Sequence, residues 1–83
     1  MEKVLVEVFV PLLDRSFDMF LPAASPMYEV LELMEKAVTE MSDGRFIATD
    51  NTTLCYREDG AILNINLSVY ELEIHNGSKL MLI

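Results

Sequence analysis

Tryptophan is absent, histidine and cysteine occur once each, and glycine and proline three times each in 83 residues. The lone Cys55 can form no internal disulfide, which agrees with a reducing compartment. It also has no second cysteine for a redox pair and no adjacent basic residue to lower its pKa. Three glycines, each beside turn-forming residues, leave none for a loop that cradles phosphate. Basic side chains are scarce as well, six against fourteen acidic ones, for a formal charge of −8. Such a surface repels phosphate backbones and anionic headgroups, so neither nucleic acid nor direct membrane insertion is expected. The acidity is read as keeping a small chain that is 52% apolar in solution. No apolar run approaches the roughly 18–20 residues of a membrane span. The opening Met-Glu-Lys enters a strand pattern directly, without a signal-peptide profile, so a cytoplasmic protein is expected. A chain this short makes one domain, residues 1–83, with a thin core.

What the sequence does contain is one helix-length period. Met27, Val30, Leu31, Met34, Val38 and Met41 recur at helical spacing, with Glu29, Glu32, Lys36 and Glu40 on the opposite side. Ser25 is the expected N-cap, Pro26 the first helical position, and Asp43-Gly44 the stop. Every other apolar run is strand-length. Lys3 to Val10 and Ser16 to Leu21 alternate about Pro11 and Asp14-Arg15, which reads as a hairpin. Arg45 to Thr52 reads as a loop anchored by Phe46 and Ile47. Thr53 to Arg57 and Ala61 to Leu63 flank a Glu58-Asp59-Gly60 turn, a second hairpin. Asn64 to Ile74 changes spacing, so it is expected to be a connection with a turn of helix near Val69–Leu72 that buries Leu72 and Ile74. Asn76-Gly77 then turns into a last strand, Lys79 to Ile83. The fold class expected is α+β: a mixed sheet of four to five strands covered by one helix, with the last strand beside the first.

That order is the β-grasp arrangement. The Leu54-Cys55-Tyr56 strand, the Asp59-Gly60-Ala61-Ile62-Leu63 hairpin and Val69-Tyr70-Glu71-Leu72-Glu73-Ile74 leading to Asn76-Gly77 resemble ubiquitin-like proteins along nearly the whole chain. Phe17 to Leu21, the helix opening at Pro26 and the turn from Ile74 to Leu80 look most like the small bacterial YukD/EsaB-type proteins of type VII (WXG100) secretion systems. The resemblance implies an adaptor or regulatory role, with a component or cargo of that secretion machinery as protein partner. The alternative is a β-grasp module of an unrelated complex, or a homodimeric scaffold.

No catalytic residue, cofactor or metal ligand is assigned. His75 lies in a turn without a nucleophile or carboxylate partner placed by the sequence, and the loop carboxylates Asp43, Asp50, Glu58 and Asp59 lack the ligand spacing of a calcium loop. Ubiquitin and the sulfur carriers of this fold act through a flexible tail ending in Gly-Gly. The sequence instead ends Leu80-Met81-Leu82-Ile83 within strand pattern, so non-covalent binding is expected rather than conjugation or sulfur transfer. If the helix covers the face bearing Val4, Val6, Val8, Phe17, Met19, Leu21, Leu54, Leu80 and Leu82, alternation sends Leu5, Phe20, Cys55, Met81 and Ile83, with Phe9, to the uncovered face. The corresponding face is the usual docking surface of ubiquitin-like proteins, so those residues are the candidate protein-binding site. Leu5 and Met81 are expected to lie near one another there.

Overall fold

The computed structural model describes residues 2–83. β1 (Lys3–Val10) pairs antiparallel with β2 (Arg15–Pro22) through a 3₁₀ turn at Pro11–Leu13, where Asp14 adopts a left-handed φ of 50°. The helix α1 (Met27–Met41) follows, then β3 (Leu54–Tyr56) and β4 (Lys79–Leu82). The strand order is β2-β1-β4-β3, with β4 parallel to β1 and antiparallel to β3. The last strand therefore runs between the first and the third. Its position closes the inner edge of β1, and Leu80 and Leu82 are fully buried there.

One face of this sheet carries the core. Val6, Val8, Val10, Phe17, Leu21, Leu54, Leu80 and Leu82 meet Met27, Val30, Met34 and Val38 of the helix, while Phe46, Leu63, Val69 and Ile74 seal the rim. Val4, Met19 and Leu31 pack against this cluster but stay partly exposed. The buried stripe is narrower than the period suggests. Met41 is exposed at the helix end, because Asp43 and Gly44 turn the chain away with φ of 54° and 79°. Gly44 N–H donates to the Thr39 carbonyl at 2.9 Å, closing the terminus.

The helix start differs from expectation. Pro26, not Ser25, is the N-cap, and no side chain caps it. Instead Met27 N–H donates to the Leu67 carbonyl at 2.8 Å and Tyr28 N–H to the Ile65 carbonyl at 3.0 Å. Extended Pro26 bridges Ser68, so the long connection supplies the acceptors a local side chain would otherwise provide.

Two further segments depart from the sequence reading. The strand expected at Ala61–Leu63 contracts to a single bridge between Ile62 and Cys55, leaving four strands. Asn64 ends it, because its Oδ1 accepts Asn66 N–H and turns the chain. Within 45–52, Phe46 is buried but Ile47 is exposed and anchors nothing. The turn near Val69–Leu72 is present. Ser68 and Glu71 exchange backbone-to-side-chain hydrogen bonds at 2.9 and 3.0 Å, and Val69 and Ile74 are buried while Leu72 is half-buried.

Ser42 is a buried polar residue under the helix C-terminus. Its Oγ donates to the Thr39 carbonyl at 3.2 Å and accepts Phe46 N–H at 3.0 Å. Ser42→Ala removes the partner that the buried Phe46 N–H has among the described residues, and the expected loss is about 1–3 kcal/mol of unfolding free energy by denaturant titration. A loss below the error of the titration would mean that Phe46 N–H finds another acceptor.

Candidate protein-binding surface

The side of the sheet away from the helix is organised in rows, because antiparallel and parallel registers align alternate residues across it. In the first row Phe20 of β2 stands opposite Leu5 of β1. They are 67% and 37% exposed. Leu5 is held in place through its backbone. Its N–H donates to Asn76 Oδ1 at 2.8 Å, and its carbonyl accepts Gly77 N–H at 2.8 Å. The left-handed φ of 92° at Gly77 shapes that turn, a conformation that costs glycine little.

The second row is charged. Asp18, Glu7 and Lys79 align across β2, β1 and β4, and Arg57 reaches Glu7 Oε2 at 3.3 Å. Both partners of that ion pair are more than a third exposed, so it contributes at most about 1 kcal/mol after solvent screening. The Arg57 guanidinium also lies 4.3 Å from the centre of the Phe9 ring. In the third row Phe9 and Met81, both half-buried, pair across β1 and β4, and Cys55 pairs with Met81 across β4 and β3. Ile83, 53% exposed, continues that line beside Thr53, each residue's N–H bonded to the other's carbonyl.

Two expectations are corrected by this geometry. Cys55 is fully buried, not exposed, since its short side chain is flanked by the longer Met81 and Ile62 and its Sγ lies 3.6 Å from the Met81 carbonyl oxygen. Leu5 and Met81 are not neighbours either. Parallel pairing sets Phe9, not Leu5, opposite Met81, with the charged row between. Leu5 and Phe20 thus form one apolar island, and Met81 and Ile83 a second. Arg57 was not foreseen in this surface. It closes the expected Thr53–Arg57 strand, two residues after Cys55 and so on the same face, but its reach to Glu7 and Phe9 follows from the β1-β4-β3 order, which alternation does not encode.

Burial, and then the negative charge of Asp59, push the Cys55 thiol pKa up. The folded protein should therefore react slowly with a disulfide reagent at mildly alkaline pH and rapidly once denatured, since the thiolate is the nucleophile. The folded thiol keeps its proton to higher pH than the unfolded one, so this group lowers stability as pH rises through the ordinary thiol range. Equal reaction rates with and without denaturant would contradict the burial.

His75 sits exposed in its turn, Nδ1 3.0 Å from the Asn76 carbonyl, and its N–H donates to Ser78 Oγ. Among the described residues, no three His, Cys, Asp or Glu side chains are placed to hold a metal ion, and no helix is long and apolar enough to cross a membrane.

This architecture, one helix over a four-stranded mixed sheet, is the ubiquitin-like β-grasp fold. Superposition on solved structures gives the particulars. The EccD5 ubiquitin-like domain from Mycobacterium xenopi matches with a TM-score of 0.84 at 24% identity, covering 100% of this chain and 94% of that one. The ubiquitin-like domain of the Mycobacterium tuberculosis type VII secretion system protein ECCD1 matches at 0.80 and 22%, covering 100% and 99%. A chain of the MycP5-free ESX-5 inner membrane complex matches at 0.72 and 22%, covering 100% of this chain but 21% of that one. No protein-family model and no curated protein matches the sequence.

Proposed function

We propose that this chain is a non-enzymatic adaptor or regulatory protein of bacterial type VII (WXG100) secretion, of the YukD/EsaB type, working in the cytoplasm by non-covalent protein binding. The observation that carries the reading is the end-to-end agreement with ubiquitin-like domains named for EccD proteins, one of them from a type VII system. A second, independent support is chemical. The uncovered face offers Leu5, Phe20, Met81 and Ile83 to a partner around a charged row. The role requires a partner within the machinery or its cargo, and the half-exposed apolar pair at Leu5 and Phe20 is where it docks.

Affinity capture from the native cell after cross-linking, read by mass spectrometry, tests the assignment. Enrichment of type VII membrane-complex proteins or their cargo is the expected result. Enrichment of an unrelated complex, or of the chain itself alone, would overturn it in favour of an interaction module serving another assembly or a homodimeric scaffold.

A further inference from the structure

The charged row across the uncovered face is ordered by sign. Asp18 and Glu7 hold the β2 and β1 places, and Lys79 holds the β4 place. Arg57, just past β3, completes the row: the Tyr56↔Leu80 register continues to it, and its N–H donates to the Lys79 carbonyl at 3.2 Å. Two acids fill one half and two bases the other. Like charges opposite one another destabilise a sheet, so Glu7 against Asp18 and Lys79 against Arg57 serve the isolated fold poorly. The Arg57–Glu7 ion pair forms only because the guanidinium leans across β4.

The relief of the face is divided in the same way. On the acidic half, Leu5 and Phe20 project beside the row. At the same level on the basic half the β4 place belongs to Gly77, where no atom lies within 4 Å of where a side chain would begin. Beside it opens a cavity of about 690 Å³ whose walls include Arg57, Asp59, His75 and Lys79. Projection on one half answers depression on the other. On the far side of the row, Phe9 and Met81 stand opposite each other across the β1–β4 seam.

We propose that the uncovered face pairs with the same face of a second copy, about a two-fold axis running along the strands between β1 and β4. Such an axis lays β1 of one molecule on β4 of the other and β2 on β3, in keeping with the aligned packing of twisted sheets. Glu7 then meets Lys79 of the copy and Asp18 meets Arg57 of the copy, each contact occurring twice. Phe9 lies against Met81 of the copy, a sulfur–aromatic contact. Leu5 covers Gly77 of the copy, and Phe20 enters the cavity beside it. Arg57 leaves its own Glu7 to do so, an exchange that loses little because that pair is exposed. The formal charge of −8 does not forbid the contact, since the four residues of the row sum to zero. Glu29, Glu32 and Glu40 are exposed on the helix, across a domain whose shortest extent is 23 Å, and screening acts over about 8 Å at physiological salt. The inference goes beyond the secretion reading and does not depend on it. Copy and partner compete for Leu5 and Phe20, so the dimer is a closed form of the working surface.

Sedimentation equilibrium with charge-reversed variants tests the proposal. Wild type should form reversible dimers. Glu7→Lys and Lys79→Glu should each weaken self-association at least tenfold, because each sets like charges together twice. Mixing the two in equal amounts should restore dimers, since each variant supplies the sign the other has lost, and no repair within either chain can do this. If Glu7→Lys disturbs folding, Asp18→Lys mixed with Arg57→Glu repeats the cross on the outer pairs. Wild type that stays monomeric up to about 1 mM, single variants that still dimerise, or a mixture that does not would each overturn the two-fold pairing. A monomeric wild type that captures secretion components overturns the dimer and leaves the adaptor reading in place, whereas dimers with no captured component do the reverse.

Discussion

Met34→Ala should cost about 2–5 kcal/mol of unfolding free energy, the usual range for truncating a fully buried long aliphatic side chain. Met34 is buried at the middle of α1, between Val30 and Val38 and over the sheet, and a domain of this size has few other places to recover the lost contacts. Leu31→Ala should cost less, because Leu31 is half-buried at the flank of the stripe. Glu32→Ala, exposed on the far side, should stay within about 0.5 kcal/mol. Denaturant midpoints of the three variants at a common m-value provide the measurement. A loss for Glu32→Ala comparable to that for Met34→Ala would mean that the helix buries a different face.

The periodic parts of the chain were legible and the irregular parts less so, for a physical reason. Alternation in Lys3–Val10 and the helical period through Val38 each reflect one face against a common core, so sequence spacing maps onto burial. The β4 position beside β1 followed from the need to cover an edge. The Ser25 cap failed because the acceptors for Met27 and Tyr28 come from Leu67 and Ile65, about forty residues away in sequence, and no local pattern encodes them. The candidate surface was legible as a face but not as an arrangement. Parity placed Leu5, Phe20 and Met81 on the side away from the helix, yet parity says nothing of parallel register, which separates Leu5 from Met81. It says nothing of side-chain size either, and a cysteine between Met81 and Ile62 disappears where a longer residue would emerge.

Leu5→Glu should abolish partner capture with little effect on folding. Leu5 is already more than a third exposed, and its structural hydrogen bonds run through the backbone, which the substitution keeps. A charge placed beside Phe20 would be desolvated by any apolar contact docking there, a penalty large enough to remove most of the binding energy of a modest interface. Met81→Glu, in the second apolar island beyond the charged row, should behave alike if one partner spans both. The decisive measurement pairs thermal unfolding with quantitative recovery of the captured partner for wild type, Leu5→Glu and Met81→Glu. Unchanged melting with at least tenfold lower recovery is the predicted result, and unchanged melting with undiminished recovery would contradict the assignment of the uncovered face as the working surface.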